Sequence, residues 1–267
     1  MDKKIVIAEI IEACKKQGWN FSEKYKQNNW KTDILIDYGS YKVAVTIGKR
    51  FKSISQTYAD MRKERVCGCW ISLPGGNFGY DAEDLPCFYV KDDEEKLAID
   101  LKGTGDVKIK DFILKLVTGK VIKSDNVKIN RADIYPIGID CWKCGTTHYV
   151  YFVKRLVTEH GTILNYHEDF EDSPTFAPEI IESLRAYLLK HSEINMPMGE
   201  IKQRYSKTVD ENYLSFGCPK CDAIVGGFYL MEYEIDCIYD EDESHLLSID
   251  TSSTNFIFPF SHWKIKE

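Results

Sequence analysis

Apolar positions recur at helical spacing near the N-terminus. Ile7, Ile10, Ile11 and Cys14 line one face, and Gly18 follows as a stop, so the pattern predicts a helix over 4–17. Two runs, KTDILIDY (31–38) and YKVAVTIG (41–48), then read as strands joined at Gly39-Ser40, a hairpin signal. FKSISQTYADMRKER (51–65) returns to helical spacing, with Ser53 and Gln56 placed as a capping box. VCGCWISLP (66–74) reads as a buried strand ended by Pro74-Gly75-Gly76. CFYV (87–90) is a further strand, and KIKDFILKLVTG (108–119) an amphipathic helix closed by Gly119. Helix, hairpin, helix, strand, strand, helix is the order of an α/β sandwich.

The pattern changes after about residue 131. IDCWKCGTTHYVYFVKRLV (139–157) predicts two strands with cysteines at the turn, and PEIIESLRAYLLKH (178–191) predicts a helix. YLSFGCPKCDAIVGGFYLMEYEI (213–235) repeats the strand, cysteine turn, strand order. We therefore expect two domains, 1–125 and 126–267, the second β-rich with an inserted helix.

Charge divides in the same place. Residues 1–130 hold 23 Lys+Arg against 19 Asp+Glu, and residues 131–267 hold 12 against 23, so a chain of net −7 has a basic half and an acidic half. No apolar run reaches the roughly 20 residues of a membrane helix, and Glu9 and Glu12 interrupt the N-terminal one. The expectation is a cytoplasmic protein with no membrane partner. Nine cysteines, an odd number, argue against a disulfide framework and for reduced thiols, some of them metal ligands.

Four of them have the spacing of a metal site. Cys141-Trp-Lys-Cys144 and Cys218-Pro-Lys-Cys221 are two C-x-x-C knuckles, each at a predicted turn. Thiolates two residues apart can take two corners of a Zn²⁺ tetrahedron, and two knuckles complete a closed Cys₄ site. Four thiolates leave no position for water, so the predicted role is structural. Cys67, Cys69 and Cys87 suit core packing, with a second metal site as the alternative. His148, His160 and His167 have no ligand spacing and read as surface or structural.

In a hairpin turning at Gly39-Ser40, Asp33 opposes Thr46 and Asp37 opposes Lys42. Asp33, Leu35 and Asp37 should then share a face with Lys42, Ala44 and Thr46. The stretch from Lys31 to Gly75 resembles the nuclease core of the competence protein CoiA-like family, within the PD-(D/E)XK superfamily. KIKDFILKLVTGKVI is similar to the helix that follows that core, and CWKC with CPKC to a zinc-binding tail found in relatives. The resemblance implies a restriction-endonuclease-like sandwich followed by a zinc-ribbon-like domain.

It also implies a Mg²⁺ or Mn²⁺ site built from an acid on the first hairpin strand and E-x-Q or E-x-K on the second. Asp33 matches the first acid, and Glu23 falls where the family often has an upstream one. Thr46 and Gly48 occupy the second-acid and Gln/Lys positions, and both depart from the pattern. One carboxylate holds Mg²⁺ weakly, so the resemblance implies a degenerate, inactive nuclease.

Three readings follow. The first is a pseudo-nuclease that binds DNA or RNA through Lys42, Lys49, Arg50, Lys52, Arg62, Lys63 and Arg65, with Phe51 and Tyr58 as stacking or core residues. The second is an active nuclease pairing Asp33 with Asp37 or Glu23. The third is a zinc-stabilised interaction module whose acidic C-terminal domain docks a protein partner.

Overall fold

The computed structural model describes every residue except 80, 81, 83, 94, 95, 102, 103 and 267. The chain forms two compact units, one from Met1–Ser124 with His262–Glu267 and the other from Asp125–Ser261.

The first unit opens with α1 (Lys3–Gln17). Asp2 caps its start through a bond to the Lys4 N–H, and Gly18, at φ +69°, closes it in the left-handed conformation a side chain would disfavour. Short strands β1 (Asn20–Glu23), β2 (Lys26–Gln27) and β3 (Trp30–Lys31) lead into the hairpin of β4 (Ile34–Asp37) and β5 (Lys42–Arg50). Next come α2 (Ile54–Lys63), β6 (Val66–Asn77), β7 (Cys87–Asp93), β8 (Lys96–Leu101), β9 (Gly105–Lys108) and α3 (Ile109–Val117). One seven-stranded sheet results, ordered β1-β4-β5-β6-β7-β8-β9. Its centre is parallel, because α2 carries the chain from the end of β5 back to the start of β6, and β7 also runs parallel to β6.

The sheet buries both faces. Ile34, Ile36, Val43, Val45, Cys69 and Ile71 pack with Val6 and Ile10 of α1 and Phe112 and Ile113 of α3. Leu35, Ala44 and Trp70 point the other way, onto Ile54 and Met61 of α2. Period-two alternation thus builds a three-layer α/β sandwich. The β4–β5 register is the expected one, with Ile34 opposite Val45 and Asp37 opposite Lys42.

Two local expectations need correction. Ser53 does not form a capping box: it sits at φ +52° with no side-chain cap bond, and Gln56 reaches Asp60 instead. Nor does Pro74-Gly75-Gly76 end the strand. β6 continues to Asn77, and the three residues form an irregularity between the Gly48–Ser72 and Arg50–Asn77 pairs. Gly76 permits this because a Cβ there would lie 2.7 Å from the Lys49 backbone.

The second unit is built on β10 (Val121–Asp140), from Asp125 onward, and β11 (Thr147–Thr158), with β12 (Ile163–Asn165) beside β11. Helix α4 (Pro178–Lys190), the hairpin of β13 (Lys202–Ser206) and β14 (Glu211–Ser215), α5 (Gly227–Tyr239), β15 (Leu247–Asp250) and β16 (Ile257–Ile265) follow. Strands β15 and β16 both pair with β10. The strand predicted after the second cysteine knuckle is instead the helix α5, a third local correction. Its core residues are Leu230 and Cys237, two helical turns apart, and aromatic and β-branched neighbours disguise that period as a strand.

Candidate metal centre and nucleic-acid interface

The two knuckles have the same backbone design. In the first, the Cys141 N–H donates to Thr146 O and the Gly145 N–H returns to Cys141 O. In the second, Cys218 N–H donates to Ala223 O and Asp222 N–H to Cys218 O. Gly145 and Asp222 hold equivalent left-handed positions, at φ +68° and +56°. Each turn thereby aims two thiols at one point.

The structure brings all four predicted ligands together. The sulfurs of Cys141, Cys144, Cys218 and Cys221 lie within 4.8 Å of one another. Cys141 to Cys221 and Cys144 to Cys218 are both 3.6 Å. A tetrahedron with metal–sulfur bonds of about 2.3 Å has edges of about 3.8 Å, so the cluster has the dimensions to hold a metal ion. The Thr146 hydroxyl and N–H lower the Cys144 thiol to about 6. Despite the Ala223 N–H, burial and the neighbouring thiols raise Cys221 to about 12. Four thiolates at this separation need a cation between them.

A clamp supports the second knuckle that the sequence analysis missed. The buried Arg204 on β13 donates to Ser215 O at 2.6 Å, to Glu200 O at 2.9 Å and to Asp222 Oδ1 at 2.5 Å. Lys202 adds an ion pair to Asp222 at 2.9 Å. A Cβ on Gly217 would stand 2.1 Å from the Arg204 guanidinium, so glycine leaves the room the clamp needs. No local signal marks the clamp, because Arg204 lies 14 residues before Cys218 in the sequence.

His148 is buried and lies outside the cysteine group. Its Nδ1 lies 3.2 Å from Thr146 O, and it borders a cavity of about 280 Å³ with Trp142, Tyr229 and Tyr233. Cys69 is buried between the sheet and the α1–α3 layer, and burial raises its thiol. Cys67, Cys69 and Cys87 join no metal-ligating group among the described residues.

Among the described residues the candidate carboxylates of the first unit form no group of three or more ligands either. Asp33 lies just before β4. Its Oδ2 accepts the Ile47 N–H at 2.7 Å, and Oδ1 pairs with Lys3 of α1 at 2.7 Å. The carboxylate therefore turns back to fasten the sheet to α1, rather than standing beside Leu35 on the expected face. On β5, Thr46 donates its hydroxyl to Thr32 Oγ1 at 3.2 Å, and Thr32 donates to Val45 O at 2.7 Å. Asp37 is exposed and accepts the Gly39 N–H at 2.9 Å. Glu23 is exposed on the β1 edge, opposite Ile34.

All seven predicted basic residues are exposed, but they form two groups. Lys42 begins β5, and Lys63 and Arg65 lie where α2 hands the chain to β6, beside the Lys42–Val66 pair. Arg62 occupies the last turn of α2. Lys49, Arg50 and Lys52 stand at the other end of β5, about 25 Å along the strand. The second group flanks an aromatic row. Phe51 stacks on Phe78 at 5.1 Å, and Phe78 meets Tyr89 edge-on at 4.9 Å. Tyr89 is exposed, and the sequence analysis did not single it out. Tyr58 packs against Trp70 in the core.

Comparison with known proteins gave no match to any protein-family model, curated protein or solved structure.

Proposed function

We propose that this chain is a nucleic-acid-binding protein with a nuclease-like but non-cleaving N-terminal unit and a C-terminal unit built around structural zinc. The observation that carries the reading is the state of Asp33. Both its carboxylate oxygens are engaged, by the Ile47 N–H and by Lys3, and Thr46, at the second-acid position, spends its hydroxyl on Thr32.

A hairpin, a helix and a parallel strand (β4, β5, α2, β6) is the arrangement that the CoiA-like resemblance implies, which supports the nuclease-like reading. The residues do not fit a Mg²⁺ or Mn²⁺ ion. That ion needs two or more free carboxylates, and both oxygens of Asp33 are already engaged, while Asp33, Asp37 and Glu23 form no three-ligand group among the described residues. We assign no hydrolytic step to this unit.

The cysteine cluster suits zinc. Its sulfur spacing matches a Cys₄ tetrahedron, and soft thiolates select such an ion. Cys141, Cys144, Cys218 and Cys221 would hold it, and it would lock the two knuckles together.

Lys49, Arg50 and Lys52 are the binding group favoured here. They stand at the carboxyl ends of parallel strands, where ligands of open α/β sheets commonly bind. Tyr89 offers an exposed ring at the edge of an aromatic row, suited to stacking on a base. The test is a titration of labelled single-stranded DNA, duplex DNA and RNA at two salt concentrations. Replacing the three basic residues by Ala should weaken binding about tenfold and lower the salt slope by about 2–3. Unchanged affinity and slope would contradict the assignment.

A further inference from the structure

Helix α5 has an apolar stripe on its solvent side. Leu230 and Cys237 face the core, while Phe228, Met231, Ile235 and Tyr239 are 72%, 56%, 49% and 78% exposed. These four fall at i, i+3, i+7 and i+11, one stripe opposite the buried pair. A helix at a unit surface normally carries polar residues there. Scattered exposed apolar residues need no explanation, but a row of four large ones on one helix does.

The borders of the stripe are acidic. Glu232 and Asp236 follow one edge and Glu234 the other. The run Asp240-Glu241-Asp242-Glu243 continues from the helix C-terminus. From Cys221 to Trp263 the chain holds nine Asp+Glu and no Lys or Arg. A second copy of the chain is a poor occupant. In an antiparallel pair each edge meets its own copy, and in a parallel pair the two edges meet. Both arrangements oppose acid with acid. An anionic lipid surface is repelled for the same reason.

We propose that the outer face of α5 docks a basic amphipathic segment of a partner protein. Apolar side chains of the segment cover Phe228, Met231, Ile235 and Tyr239, and its Lys or Arg residues pair with Glu232, Asp236 and the acidic run. Helix-in-groove recognition uses the same anchor spacing, and the opposed charges speed the encounter.

The probe is a labelled synthetic peptide of about 18 residues, Leu and Lys at helical spacing, titrated into the full zinc-loaded chain. Its control replaces Lys by Glu. We expect saturable 1:1 binding that weakens with salt, and no binding of the Glu control. Phe228→Ser with Ile235→Ser should reduce affinity at least about tenfold, and Glu232→Lys with Asp236→Lys should do the same. Both pairs are exposed, so thermal melting should be unchanged. Replacing Lys49, Arg50 and Lys52 by Ala should leave peptide affinity intact, which separates this proposal from the nucleic-acid reading. Absent binding, equal binding by the variants or equal binding of the Glu control would overturn it. So would a concentration-dependent dimer in sedimentation that Phe228→Ser abolishes, or binding to zwitterionic vesicles lost in the same variant.

Discussion

Asp33 acts as a fastener between the sheet and α1. The Ile47 N–H it accepts belongs to a buried residue, so its removal leaves a donor without a partner in the core. Asp33→Ala should lower the stability of the first unit by about 1–3 kcal/mol in urea unfolding. Lys3→Ala should cost less, since the Lys3 end of the ion pair is exposed and such pairs contribute about 0–1 kcal/mol. Equal effects of both substitutions would mean that the ion pair, and not the backbone bond, does the fastening. The opposition of Asp37 to Lys42 was readable from the two-residue turn alone, because a hairpin's register follows from its loop. The direction of the Asp33 carboxylate was not readable. It depends on α1, which is distant along the chain until the sheet forms.

Among the elements, α1, α3 and α4 were legible because a glycine or proline marks an end and apolar spacing marks a face. Helix α5 was not, since YLMEYEI satisfies strand propensity as well as helix spacing, and burial of Leu230 and Cys237 decides between them. The irregular end of β6 was hidden for a related reason: Pro-Gly-Gly signals a stop, yet the chain rejoins β5 at Asn77. The end of α5 is tied to β10 by a polar contact that gives a pH signature. Tyr135 donates to Asp240 at 2.7 Å, and this bond, then the Asp242 N–H, lowers the Asp240 carboxyl below its ordinary value. A carboxyl lowered in the folded state adds stability above its unfolded pKa of about 3.9, and that stability is lost as pH falls through the lowered value. Asp240→Asn should therefore lower Tm at neutral pH and flatten the decline of Tm below about pH 4. A parallel decline in both proteins would show that Asp240 does not contribute to it.

At the scale of the whole molecule, the two units should respond differently to loss of metal. Structural zinc in small sites supplies about 10–16 kcal/mol, comparable to the entire stability of a domain. Chelation, or Cys218→Ser, should remove the melting transition of the unit Asp125–Ser261 and leave that of the first unit in place. An unchanged pair of transitions after zinc removal would refute a structural role. The cysteine set was legible because C-x-x-C turns impose their own geometry, even with a helix and several strands between the knuckles. The supporting clamp of Arg204, Asp222 and Gly217 was not, because its members meet only after the second hairpin closes. The basic surface was half legible: residue type showed the charges, but the return path of α2 split them between two ends of the sheet.

The central claim is that the first unit binds nucleic acid without cleaving it. Its most direct test incubates labelled DNA and RNA with the purified chain in Mg²⁺ or Mn²⁺, reading binding and cleavage together, with Asp33→Asn as the control. The account predicts salt-sensitive binding, intact strands and no change in strand integrity with the control. Cleavage that Asp33→Asn abolishes would contradict it and restore Asp33 as a metal-binding acid.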